Sequence, residues 1–243
     1  MTDTQPAIVL VHGALTDASV WHPVIAELQR RGHQVLAPAL PMRSLAGDAA
    51  ELRGVLEQVD GPVVVAGHSW GGSVISDPAA LTPAVRALVF VAAFIQDTGE
   101  QAGELNYRFP GSRLVPETTV VRPVPGGEEL ALRPGHFAAV YAADVDPVTA
   151  AVMAAAQHGI DPAALGQSFD GPASWRRLPS WALIATEDRS IPTEAQRFMA
   201  ARAGSAVTEI AAAHAVPVAH PRETADVIAA AAAQRPAARW ATA

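Results

Sequence analysis

Three residues far apart in the chain have the types and the order needed to move an acyl group. Ser69 sits in Gly67-His68-Ser69-Trp70-Gly71, Asp188 in "ATEDRSIP" and His214 in "AAAHAVPVAHP". A serine hydroxyl is a weak nucleophile until a base takes its proton. An imidazole serves as that base when a carboxylate holds its tautomer and favours its cation. The pattern G-x-S-x-G is common by chance, so its setting decides. The apolar run "VVVAG" (63–67) predicts a buried strand before it, and "SWGGSVISDPAAL" predicts a helix after it. In such a turn the serine takes a strained backbone that lifts its hydroxyl above the sheet, while Gly67 and Gly71 remove side chains that would collide. Ser73 and Ser76 read as helix residues.

In sheets carrying such an elbow the chain order is nucleophile, acid, base, with acid and base on loops at the carboxyl ends of later strands. Asp188 follows the run "WALIAT" and precedes a helix, so it is our choice for the acid. Its competitors are the adjacent Glu187 and Asp97, in "FIQD" past the fourth strand. Only His214 and His220 follow Asp188 in the chain. His220 directly precedes Pro221 and reads as the cap of the last helix, which leaves His214 as the base. A tetrahedral intermediate also needs backbone donors for its oxyanion. They are expected from Trp70 N–H, just after the nucleophile, and from Ala14 N–H in "VLVHGALTDASVW". Alone, His12-Gly13 would read as a strand-ending turn.

The elements that must position these groups follow an alternating rhythm. Short apolar runs at 7–11, 34–38, 63–67, 87–93, 181–186 and 206–210 suit strands covered on both faces. Helical segments lie between them, including "SVWHPVIAELQRRG", "SLAGDAAELRGVLEQVDG", "TEAQRFMAARAG" and "PRETADVIAAAAAQ". The pattern predicts an α/β fold with a mostly parallel six-stranded sheet and helices on both faces. Residues 95–175 break the rhythm as an insertion far longer than an ordinary connection. Its proline- and glycine-rich beginning suggests a hairpin about Gly126 and Gly127, and the remainder reads as a pair of short helices broken at Asp146 and Pro147. The division is therefore a core of 1–94 and 176–243 with 95–175 inserted. The tail "RPAARWATA" reads as a loosely held end.

Together, "VLVHGALTDASVW", "VVVAGHSWGG", "ATEDRSIP" and "AAAHAVPVAHP" resemble the α/β-hydrolase superfamily, in particular the small cofactor-free serine esterases related to plant methylesterases and hydroxynitrile lyases. The resemblance implies a Ser69-Asp188-His214 triad, an oxyanion hole from Ala14 and Trp70, and residues 95–175 as a cap over the site. Two departures stand out. The chain opens on its first core strand, without the antiparallel strands that begin many members, and its insertion contains extended, proline-rich sequence instead of helix throughout. Ser69 excludes the aspartate-nucleophile branches, the haloalkane dehalogenases and epoxide hydrolases. Ala215 stands where the related hydroxynitrile lyases carry a lysine after the histidine.

The expected reaction is hydrolysis of small, mostly apolar carboxylic esters through an acyl-enzyme, with lactones and aromatic esters among the candidates. Acyl transfer or cyclisation by the same serine, or ligand binding with little turnover, are the alternatives. Candidate pocket residues are Phe94, Tyr141 and Trp175, and the insertion also offers Phe109, Phe137 and Phe169. These aromatics could equally form the insertion's own small core. His136 and His158 read as surface or capping residues, a place in the pocket being the alternative, and Arg189 as a salt-bridging surface residue.

Composition sets the remaining bounds. Half the residues are hydrophobic and 17 % charged, enough to build a sizeable core. The 17 Lys and Arg are outnumbered by 24 Asp and Glu, which argues against a phosphate-neutralising surface for nucleic acid. There are no cysteines, so thiolate chemistry and disulfides are excluded. No H-E-x-x-H or comparable ligand cluster suggests a metal, and no cofactor is expected. The N-terminus lacks a basic segment and its apolar run is short, so neither a leader nor a membrane span is indicated and a cytoplasmic location is expected. Oligomeric state is not legible.

Overall fold

The computed structural model describes residues 5–234. The tail read as a loose end lies outside the described residues. The chain runs β1 (Ala7–Val11), α1 (His22–Arg30), β2 (Val35–Leu36), α2 (Leu45–Leu56), β3 (Val63–His68), α3 (Trp70–Ser76) and β4 (Val85–Val91). The inserted segment follows, with α4 (Ala102–Tyr107), the hairpin β5 (Thr119–Val124) and β6 (Gly127–Leu132), α5 (Pro134–Tyr141) and α6 (Pro147–Ala155). The chain then returns through β7 (Ser180–Ala185), α7 (Thr193–Ala203), β8 (Ala206–Ile210), α8 (Val216–Ala219) and α9 (Pro221–Ala233).

Six strands form one sheet in the order β2-β1-β3-β4-β7-β8, and all its pairings are parallel. Because side chains alternate across a strand, each central strand feeds two cores. Val9, Val11, Val63, Val65, Leu88 and Phe90 face α2, α3 and α7 through Leu52, Val74 and Met199. Ile8, Leu10, Val64, Ala66, Val89 and Leu183 face α1 and α9 through Val24, Leu28 and Ile228. This two-faced burial is why the central strands read as near-continuous apolar runs, whereas β8, expected to be covered on both faces, is exposed over most of its length because it forms an edge of the sheet.

Two strands end two residues short of expectation. The second strand is only Val35–Leu36, because Pro38 lacks the N–H that would extend the ladder. The fourth ends at Val91 because Ala92 turns into the left-handed region (φ 43°) and carries the chain out of the sheet. Phe94 N–H then donates to Ser69 O at 3.2 Å, so this turn braces the residue that follows β3.

The inserted segment holds the two short helices, with Asp146 capping α6 through Thr149 N. The expected hairpin turns at Pro125-Gly126, where Gly126 takes φ +87°. Leu132, Phe137, Val140 and Tyr141 form a small core there, which is closed by Leu15 and Ala215 from loops of the main sheet. Among the described residues no helix is long and apolar enough to cross a membrane.

Candidate active site

Ser69 directly follows β3 with φ 54° and ψ −121°, a backbone conformation that a non-glycine residue adopts only when its surroundings over-determine it. The surroundings here are close backbone approaches. A Cβ on Gly67 would lie 2.6 Å from Gly71 C, and one on Gly71 would lie 2.4 Å from Val11 O. Gly72, which the motif itself does not single out, is tighter still, since its Cβ would meet Phe94 O at 2.1 Å. The glycines let α3 press onto the ends of β1 and β4, and that pressure holds the turn.

His214 lies on the loop after β8, and its Nε2 is 2.9 Å from Ser69 Oγ. Its Nδ1 is 2.7 Å from Asp188 Oδ2, on the loop after β7. Asp188 accepts four hydrogen bonds in all: Ser190 N and Ile191 N on Oδ1, and Gln196 Nε2 with His214 on Oδ2. A carboxylate bonded in this way can only accept, so His214 Nδ1 carries the proton and Nε2 is left to accept from the serine hydroxyl. All three side chains are at least nine-tenths buried. This chain of groups can draw the proton from Ser69 as its oxygen attacks an electrophile.

Opposite the serine, the loop after β1 passes so close that a Cβ on Gly13 would lie 2.4 Å from Ser69 Cβ. Leu15 then takes φ 67°, which folds this loop over Ser69. The N–H groups of Ala14 and Trp70 have no hydrogen-bond partner among the described residues. They are two unspent donors beside Ser69, of the kind an oxyanion requires.

The other acid and base candidates lie elsewhere. Asp97 is tied to Arg176, whose guanidinium holds its carboxyl below the usual carboxylate range. Glu187 is exposed. His220 stands at the N-terminus of α9, 3.3 Å from Asp144. Arg189 is exposed and donates to Ala139 O at 3.3 Å, with no ion pair among the described residues, contrary to the salt bridge expected.

A cavity of about 220 Å³ opens over Ser69 and His214, walled mainly by apolar side chains from the inserted segment, among them Leu114, Leu130 and Leu165. Of the three pocket candidates, Phe94 and Tyr141 line it. Trp175 does not: its indole donates to Gln96 O at 2.8 Å and its ring packs under Arg176. Nor do Phe109, Phe137 and Phe169, although Tyr107, which the sequence reading did not single out, does. Phe137 is buried against Tyr141, Phe169 sits in the core beneath, and Phe109 packs on Phe198. Aliphatic side chains build most of the wall, and no sequence period distinguishes them from core residues.

Several supporting residues were not legible in the sequence. Asp48, fully buried on α2, accepts from Trp70 Nε1 at 2.8 Å and from Met42 N at 2.9 Å. Burial pushes its carboxyl above the usual range. His12 Nε2 accepts from Leu40 N and its Nδ1 donates to Gly13 O, so it pins the loop that carries Ala14. His68 Nε2 donates to His214 O at 2.9 Å. Burial drives both imidazoles towards the neutral form, with the larger effect at His68. His136 is exposed as expected, whereas His158 is half-buried, edge-on to His12. Among the described residues no group of three or more His, Asp or Glu could hold a metal ion.

Comparison with known proteins bears on this geometry. The alpha/beta hydrolase family model matches residues 8–227. A carbendazim hydrolyzing esterase from Nocardioides is 36 % identical over 106 residues, which is 38 % of this chain and 43 % of that protein. Methylesterase 7 of Arabidopsis thaliana is 33 % identical over 110 residues, 39 % of this chain and 42 % of that protein. The matches therefore span less than half the length of these two relatives. Among solved structures, polyneuridine aldehyde esterase superposes with a TM-score of 0.79 at 21 % identity, covering 93 % of this chain and 99 % of that one. A pyrethroid hydrolase from Sphingobium faniae gives 0.77 at 23 % identity, covering 94 % and 98 %. At these identities the superpositions establish the shared fold.

Proposed function

The chain belongs to the alpha/beta hydrolase family, and from that premise we propose that it is a carboxylesterase that cleaves small, mostly apolar esters through an acyl-enzyme. Ser69 Oγ attacks the ester carbonyl while His214 Nε2 takes its proton. Asp188 holds His214 in the correct tautomer and stabilises its cation. The N–H groups of Ala14 and Trp70 receive the oxyanion, His214 returns the proton to the departing alcohol, and a water activated by His214 then releases the acid.

The observation that carries this reading is the hydrogen-bonded run from Asp188 through His214 to Ser69 at the floor of an apolar cavity. The esterases that match a stretch of the chain support ester cleavage as the reaction. Residues 95–175 act as the cap, because they supply most of the cavity wall. The partner implied is a small-molecule ester, and the chemistry requires no cofactor.

The test is hydrolysis of a series of acyl esters, with mass detection of a covalent adduct on Ser69. Wild type should turn over short, uncharged esters, and Ser69→Ala should lose that activity with its thermal unfolding preserved. Full turnover by Ser69→Ala would overturn the mechanism. An adduct that forms and does not clear would favour a binding role, and acyl transfer to an added alcohol in place of water would favour a transferase.

A further inference from the structure

Resting on the ester-hydrolysis reading, we infer that the inserted segment grips the turn that holds Asp188 and that Ser112 is a positioning residue for the acid and base. Ser190 N–H and Ile191 N–H donate to Asp188 Oδ1 at 2.7 and 3.0 Å. They can aim the carboxylate only if their own peptide groups are fixed.

Both peptide groups are held at their opposite ends. A trans peptide is a rigid plane whose N–H and C=O point to opposite sides. The plane that carries Ser190 N–H also carries Arg189 O, which accepts from Arg113 N at 2.7 Å. The plane that carries Ile191 N–H also carries Ser190 O, which accepts from Ser112 Oγ at 2.9 Å. Consecutive residues of the inserted segment therefore hold consecutive peptide groups, and each group passes the constraint to the same carboxylate oxygen. Hydrogen bonds in such a row polarise one another, so the grip strengthens these donors as well as aiming them.

Ser112 is itself fixed in place. Its hydroxyl spends its single proton on Ser190 O, and its lone pairs accept from Asn106 Nδ2 at 2.9 Å and Leu114 N at 3.3 Å. Gly111, at φ 128°, makes the turn that delivers it. On the other side of the same turn, Ser190 Oγ donates to Val140 O of α5 at 3.3 Å. Leu114 and Val115 line the cavity, whereas Ser112 does not. Its influence on the reaction therefore runs through Asp188 and not through contact with substrate.

The experiment compares wild type with Ser112→Ala and Ser112→Thr. The low-field proton resonance of His214 Nδ1–H reports its bond to Asp188, and the rate at which a fluorophosphonate labels Ser69 reports the reactivity which that bond supports. In Ser112→Ala the resonance should move, and labelling and ester kcat should fall together by about three- to tenfold with KM little changed. Ser112→Thr keeps the hydroxyl and should restore resonance, labelling and turnover. The resonance needs neither a substrate nor a reactive serine, so failure of the grip is distinct from failure of the acyl-enzyme reading, which would show as a wild-type protein that takes no label. A folded Ser112→Ala protein with the wild-type resonance and labelling rate overturns the inference, as does a loss that Ser112→Thr leaves unrepaired.

Discussion

The indole of Trp70 donates to Asp48 Oδ2 at 2.8 Å, so the residue proposed as an oxyanion donor is anchored by its own side chain. Asp48 Oδ1 holds Met42 N, and Met42 O accepts from Asp161 N at 2.8 Å in the inserted segment. The inserted segment, α2 and α3 are thus linked through one buried carboxylate and the Met42 peptide group it holds. In Asp48→Asn one of the two donors would face an NH₂ group, leaving a buried N–H unpaired at a cost of about 1–3 kcal/mol. Ester turnover should fall in kcat more than in KM, and melting should shift down. Unaltered kcat in Asp48→Asn would show that the indole anchor is not needed.

Tyr141 joins three regions of the site. Its hydroxyl donates to Ala14 O at 3.2 Å, its carbonyl accepts from Ala215 N at 2.9 Å, and its ring meets His214 edge-on at 4.6 Å between centroids. The inserted segment therefore steadies both the loop that carries Ala14 and the imidazole of His214. Tyr141→Phe keeps the ring and the backbone bond and removes only the hydroxyl, which should lower kcat by about tenfold with KM little moved. A rise in KM at constant kcat would assign Tyr141 to substrate binding alone.

Much of this arrangement was legible because it depends on chain order. Ser69 and Asp188 each sit just past an apolar run buried on both faces, which announces a strand without any knowledge of its neighbours, whereas His214 follows β8, an edge strand that is largely exposed. The boundaries that slipped, at Pro38 and Ala92, depend on a missing N–H and a left-handed turn. Asp48 and Gln196 were not legible for a different reason. Each is a polar residue on a helix, and only the folded packing turns it inward instead of towards water. Trp175 was misjudged by the same logic in reverse, since aromatic character says that a side chain is buried but not in which core.

Gly13 gives a sharper test of the oxyanion loop than any side-chain removal. A Cβ there would sit 2.4 Å from Ser69 Cβ and 2.9 Å from His68 O, and the carbonyl cannot swing aside as a flexible side chain could. Gly13→Ala should therefore push the Ala14 loop off the nucleophile, with kcat falling by about a hundredfold or more. The rest of the sheet does not depend on this contact, so far-ultraviolet circular dichroism should stay that of wild type. Retained activity in a folded Gly13→Ala protein would show that the loop can shift without loss of the oxyanion donors.

Two buried imidazoles make stability fall in mild acid. Burial lowers the pKa of His12, and of His68 more strongly, where the neighbouring His214 adds to the effect. In the unfolded chain both recover values near 6.5, so below that pH the unfolded state binds more protons than the folded one. Stability is full above this value and is lost as pH falls towards the depressed folded values, by about 1.4 kcal/mol per pH unit for each imidazole. Asp48 and Asp77, whose carboxyls burial raises, act in the opposite direction, but only as the pH approaches the carboxylate range. Melting temperature measured from pH 7.5 to 5.5 should therefore decline. The decline should be shallower in His68→Gln, which keeps a donor for His214 O but cannot take up a proton. Parallel curves for the two proteins would mean that His68 is not a source of the acid sensitivity.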